Sequence, residues 1–225
     1  MKKFISFFVS TLIILGCLFC FSACSKSSQI ENNLCELRSD IFTGKLDDIS
    51  INACYGFRET PFGVDDKINQ RVYLLQFKLL NLETTDTTYS IKLNFLDKEY
   101  SAEFKHHPVT HSLTAFIQIE NFTSKEFSVL LCCGADQREI TLTSIVPKNT
   151  LSYTQALECL QKNCPDLIKS FTNENGTFCA EVFMRIIVKN EKAYWYVGLA
   201  KNKDYLKALL IDGATGEVLA IREVL

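Results

Sequence analysis

The chain of 225 residues has three histidines, and all of them, His106, His107 and His111, lie within six residues of one another. Imidazoles that close could ligate zinc or copper. A metal hydrolase needs more than that. There is no His-Glu-x-x-His pattern, Pro108 interrupts the spacing, and no second Cys/His cluster supplies a remaining ligand. The plainer expectation is a solvated hairpin loop with no bound metal. The ten cysteines do no better as nucleophiles, because nothing pairs Cys132 or Cys133 with a nearby base. A serine triad lacks its Gly-x-Ser-x-Gly elbow. The expectation is recognition without catalysis and without a cofactor. A metal-dependent hydrolase on His106, His107 and His111 is the enzymatic alternative.

Recognition needs a surface held on a rigid frame. The stretch from Gly56 to Gln70 carries two glycines, a proline and two phenylalanines. Long loops on a rigid scaffold are where binding concentrates, which makes Phe57, Arg58 and Phe62 candidate contact residues. The bland alternative is a packed connection with Phe57 and Phe62 tucked into the end of the fold.

The frame is written in period-two alternation over residues 34–147. Apolar stripes run Ile49/Ile51/Ala53, Tyr73/Leu75/Phe77/Leu79, Tyr89/Ile91/Leu93/Phe95 and Tyr100/Ala102/Phe104. Three more run Leu113/Ala115/Ile117/Ile119, Phe127/Val129/Leu131/Cys133 and Ile140/Leu142. Such alternation buries one face of each strand and leaves the other wet. Seven short strands at fairly regular spacing predict an immunoglobulin-like β-sandwich. Asp97-Lys98 fits a tight turn between two of them. No tryptophan lies in this segment, so the Cys…Trp…Cys signature of antibody domains is missing.

After Pro147 the period changes. Ser152 followed by Gln155 forms a capping box, and Tyr153, Ala156, Leu157 and Leu160 recur at helical spacing. Pro165 ends or kinks that helix. Strands follow at Cys179–Lys189, Ala193–Leu199 and Tyr205–Asp212, the last turning through Gly213-Ala214-Thr215-Gly216 into Glu217–Ala220. The helix Ser152–Leu160, the aromatic strand Tyr194-Trp195-Tyr196-Val197 and the run Leu210 to Leu219 resemble the PepSY domain family. Asp212 can accept hydrogen bonds from the turn's own amides, and Gly216 supplies a backbone state that a side chain penalises. Gly213 departs from the family, which often has Ala there. The resemblance implies one helix packed on an antiparallel sheet, an extracellular or envelope location, and a role in binding other proteins, sometimes restraining peptidases. It carries over no catalytic residue.

The chain begins with Lys2 and Lys3, an apolar run from Phe4 to about Phe21, and Ser22-Ala23 immediately before Cys24. This resembles a bacterial lipoprotein signal peptide with the lipobox Phe21-Ser22-Ala23-Cys24, although Phe21 stands where the family most often has Leu. The alternative is an uncleaved anchor, since about 18 apolar residues can cross a bilayer. Either way, positive charge before the apolar run puts the body outside the membrane. The resemblance implies lipid on Cys24 with at least two acyl chains, enough for stable anchoring. Residues 24–33, polar and Ser/Asn-rich, are expected to be a flexible tether.

Removing residues 1–23 leaves 202 residues and takes away Lys2 and Lys3, so the formal charge falls from −2 to −4. A mildly acidic chain without a Lys/Arg cluster has no electrostatic footprint for nucleic acid. Cys17-x-x-Cys20 lies within the apolar leader and means nothing there. Seven cysteines remain: Cys35, Cys54, Cys132, Cys133, Cys159, Cys164 and Cys179. Disulfides are plausible outside the membrane, with Cys164–Cys179 the first pair to test. Small buried hydrophobes are the other reading. The organisation expected is leader (1–23), tether (24–33), sandwich (34–147) and PepSY-like unit (148–225). The function expected is a membrane-anchored extracytoplasmic module binding an unknown protein or peptide of the envelope, with a structural envelope role as the alternative.

Overall fold

A computed structural model describes residues 29–65, 67–80, 88–107, 112–201 and 205–224. The lipobox and Cys24 lie outside the described residues. No helix among the described residues is long and apolar enough to cross a membrane. The protein is mostly β with a small helical part.

The strands are β1 (Leu34–Leu46), β2 (Ile49–Thr60), β3 (Gln70–Leu80), β4 (Tyr89–Phe95), β5 (Lys98–Glu103), β6 (Lys105–His106), β7 (Leu113–Gln118), β8 (Glu126–Cys133) and β9 (Asp136–Ser144). Helices α1 (Tyr153–Asn163) and α2 (Pro165–Ser170) follow, then β10 (Glu181–Lys189), β11 (Lys192–Lys201), β12 (Tyr205–Asp212) and β13 (Val218–Val224). All seven apolar stripes fall on strands, with Phe104 and Ile119 one residue past the ends of β5 and β7. The turn between β4 and β5 sits one residue earlier than Asp97-Lys98. Leu96 and Asp97 hold φ of 49° and 60°, and Phe95 pairs with Lys98. That is the positive-φ geometry a two-residue hairpin favours.

The strand without an alternating stripe, β1, joins everything. One edge pairs with β2 from Glu36 to Leu46. The other edge is shared, with residues 34–38 running parallel to β10 and Phe42–Thr43 antiparallel to β9. The sheet therefore reads β13-β12-β11-β10-β1-β2-β3-β7-β6, with β9, β8, β4 and β5 branching from β1. Two apolar cores result. In one, Ile51, Leu75, Phe77, Ala115 and Ile117 meet Ile91, Leu93, Val129, Leu131, Ile140 and Leu142. In the other, Ala156, Leu157 and Leu160 of α1 pack on Met184, Trp195, Val197, Leu209 and Ile211. Leu34, Leu37 and Phe57, from the N-terminal half, belong to this second core.

Helix α1 starts where its capping box requires. Ser152 Oγ accepts from Gln155 N at 3.2 Å and Ser152 N donates to Gln155 Oε1 at 2.9 Å. Pro165 opens α2 at its first turn, where a missing N–H does no harm. Residues 29–33, which the expected tether included, pack against the C-terminal half. Residues 29–32 form a helical turn, Ile30 is buried, and Asn33 Nδ2 donates to the carbonyls of Phe178 and Ala180. The physical reason is that Ile30 has an apolar core to enter and the polar neighbours find partners, among them Tyr153, whose hydroxyl donates to Glu31 Oε1 at 2.8 Å.

Candidate functional site

At the join between the two cores, β1 carries a buried carboxylate. Glu36 is 2% exposed, and a charge held out of water is unfavourable by several kcal/mol unless it is paired. Two arginines pair it. Arg38 Nε and Nη2 both donate to Oε1 at 2.8 Å. Arg185 of β10 donates to Oε2 from Nε at 2.8 Å and from Nη2 at 2.6 Å. The two guanidiniums are 35% and 43% exposed, so each turns one edge inward and another to solvent. Two positive charges on one negative leave an excess of one.

These arginines line a groove of about 490 Å³ that crosses β3, β2, β1, β10 and β11. Lys78 brings a further positive charge, while Ile187, Tyr196 and Gln76 supply apolar and amide surface. Strand alternation explains the face. Arg185 and Ile187 on β10, and Tyr196 on β11, point away from Met184, Trp195 and Val197, which α1 covers. Cys54 and Lys78 likewise point away from Ile51 and Phe77. Burial pushes the Cys54 thiol up to about 12, with Arg38 working against the shift and Glu36 adding to it. A thiol that holds its proton this firmly is a poor nucleophile near neutral pH. Around the corner lies a second recess of about 590 Å³, lined by Pro147, Tyr153 and Trp195 and rimmed by the ion pair of Lys125 with Asp40.

The residues singled out from sequence are not gathered here. His106 is exposed on β6, and His107 donates its amide to the Ser112 carbonyl at 2.8 Å. His111 lies outside the described residues. Among those described, the grouping able to hold a metal is Cys35, Glu59 and Glu181, and it contains no histidine. The loop expected from Gly56 begins only at Pro61, because β2 runs to Thr60. Phe57 is therefore core, with its ring 5.3 Å from Tyr73 and the Arg71 guanidinium 4.9 Å above it. Arg58 lies over Phe116 at 5.1 Å. Phe62 is on the loop proper, 48% exposed, edge-on to Phe183 at 6.0 Å. Cys164 and Cys179 are not joined. All seven described cysteines are free thiols, and Cys179 Sγ donates to the Thr177 carbonyl at 3.2 Å.

The groove residues have a signal in sequence that is easy to pass over. Glu36 and Arg38 stand two apart, on one face of a strand, which puts opposite charges side by side. Compared with known proteins, the chain matches no family model, no curated protein and no solved structure.

Proposed function

We propose that this protein is a lipoprotein, anchored through Cys24 at the extracytoplasmic face of the cell membrane, that binds an acidic peptide or an acidic loop of an envelope protein without catalysing a reaction. The observation that carries the reading is the groove over Glu36, where Arg38, Arg185 and Lys78 concentrate positive charge on a chain whose net charge is −2. An extended acidic segment fits that chemistry. Its carboxylates pair with the free edges of the guanidiniums, and its alternate side chains rest on Ile187 and Tyr196. The finer fold belongs to the same proposal: an immunoglobulin-like sandwich over 34–147 and a PepSY-like unit over 148–225. The unit is supported by the capped helix on a four-stranded antiparallel sheet and by the Asp212 turn. By that resemblance, a peptidase is among the partners to try first.

The test is fluorescence anisotropy of the full chain in detergent with a labelled glutamate-rich peptide and its glutamine counterpart. The acidic peptide should bind with marked salt dependence. Lys78→Glu, which leaves the Glu36 pairs untouched, should weaken it by about tenfold, on the order of 1.4 kcal/mol. Equal binding of the two peptides would remove the groove from the reading. Anchoring is tested separately: Cys24→Ala should move the chain out of the membrane fraction, and retention there would count against lipidation.

A further inference from the structure

A bulge in β1 buries a thiol beside two carboxylates, with its S–H donating to the Asn33 carbonyl at 3.4 Å. Leu34 pairs with Val182 and Glu36 with Phe183, so Cys35 is the extra residue between them. Bulges re-aim side chains and bend their strand. Here the four residues Leu34 to Leu37 are all buried. The neighbouring strands bring Glu59, one residue from the end of β2, and Glu181, the first residue of β10. A ligand atom from each of Cys35, Glu59 and Glu181 lies within 4.8 Å of the other two. The three residues are 0%, 0% and 2% exposed.

Two adjacent carboxylates out of water suffer both desolvation and mutual repulsion. Two backbone amides beyond β2 answer part of this. Asp65 N donates to Glu181 Oε1 at 2.9 Å, and Asn69 N donates to Glu59 Oε2 at 3.1 Å. Lys201 lines a recess together with Glu181. Glu59 has the Cys35 thiol beside it as well. Its Oε1 is buried with no hydrogen-bond partner among the described residues, and Glu59 joins none of the ion pairs found among them. A cation among the three side chains would supply what that oxygen is missing.

We propose that Cys35, Glu59 and Glu181 bind one divalent transition-metal ion of the zinc class. The donor set selects the metal. Magnesium and calcium take oxygen ligands, whereas a thiolate with carboxylates suits zinc and its neighbours. At zinc bond lengths of about 2.3 Å to sulfur and about 2.1 Å to oxygen, tetrahedral ligands stand roughly 3.5 Å apart. From separations of 4.8 Å or less, the cluster closes by at most about 1.3 Å to reach that. On binding, the Cys35 S–H bond breaks, its proton leaves to solvent, and the sulfur's electron pair forms the bond to the metal. The divalent charge then cancels two of the three negative charges. Burial, followed by the charges of Glu59 and Glu181, holds the Cys35 thiol well above the ordinary range. The metal must therefore displace a tightly held proton, and affinity rises with pH. Because β10 belongs to one core and β2 largely to the other, the ion pins the two halves at the strand they share.

The test uses the full chain in detergent, stripped with a chelator and titrated with Zn²⁺ and Co²⁺. The expected results are one equivalent bound, about one proton released per ion, and a thiolate-to-Co²⁺ charge-transfer band. Cys35→Ser should abolish the band. Glu59→Gln should weaken Zn²⁺ binding roughly 100-fold or more, since losing even a group behind a ligand lowers affinity 10- to 100-fold. Cys164→Ser and Cys179→Ser should change neither. Titration without a charge-transfer band in the wild-type chain overturns the proposal, whether or not the variants fold. So does a band that survives Cys35→Ser.

Discussion

Gly56 of β2 lies so close to Leu37 of β1 that a β-carbon on Gly56 would come within 1.8 Å of the Leu37 carbonyl oxygen. The contact falls between two irregularities of β1, at Cys35 and at Ser39. The obstacle is backbone, so no rotamer can move it aside. Gly56→Ala should force β1 and β2 apart where both cores meet, at about 3 kcal/mol or more. Thermal unfolding should then begin at least ~6 °C lower. An unchanged midpoint would mean that the strands do not approach as described.

The two arginines on Glu36 make an asymmetric prediction. Arg38→Ala with Arg185→Ala leaves a buried carboxylate with no countercharge, expected to be unfavourable by roughly 3–5 kcal/mol. Glu36→Gln instead leaves two guanidiniums that water already reaches, so about 1–2 kcal/mol should be lost. Urea denaturation of the two variants gives the order. If Glu36→Gln proves the more damaging, the carboxylate is not the group that depends on its partners.

These features show which parts of the fold are legible in the sequence. The stripes of β3, β4 and β8 are plain, because each strand has one buried and one wetter face. The α1 start is plain too, because both bonds of its capping box join residues three apart. β1 is not, since its bulges shift the phase at Cys35 and Ser39 and residues 34–37 are buried on both sides. Gly56 resembles the start of a loop, yet its reason is a neighbour 19 positions earlier in sequence. Glu36, Glu59 and Glu181 resemble surface charges. What encloses them is strand order, with β10 beside β1 and β1 beside β2, and nothing local encodes it.

Two half-buried acids, Cys54 and Tyr153, contribute to the alkaline limit of stability. Burial pushes the Cys54 thiol from 9.0 up to about 12. Burial, then the hydrogen bond to Glu31, pushes the Tyr153 phenol from 10.0 up to about 12. In both cases the folded chain keeps a proton that the unfolded chain releases first. The contribution is complete below the unfolded values and is lost as pH rises toward the folded ones. Melting temperature should fall from about pH 9 to about pH 12. Cys54→Ser should make the fall shallower across that window and Tyr153→Phe across its upper part, with the raised Cys35 thiol still contributing in both variants. Parallel curves for wild type and both variants would remove these groups as the cause.

The last turn ties the C-terminal strands to the helix. Asp212 Oδ1 accepts the amides of Ala214 and Thr215, each at 2.9 Å, and these bonds hold its carboxyl below the ordinary range. Gly216 completes the turn at φ +75°, and a β-carbon there would meet Cys159 Sγ of α1 at 2.3 Å. Gly216→Ala therefore incurs two penalties, a left-handed backbone of roughly 1–2 kcal/mol and a clash of similar size. Only the clash depends on the cysteine. Cys159→Ala removes the sulfur, so the double variant should recover about 1 kcal/mol relative to the sum of the single ones. Urea midpoints for the four proteins close the cycle. Strict additivity would mean that α1 does not rest on this turn, and the packing of helix on sheet would need another contact to hold it.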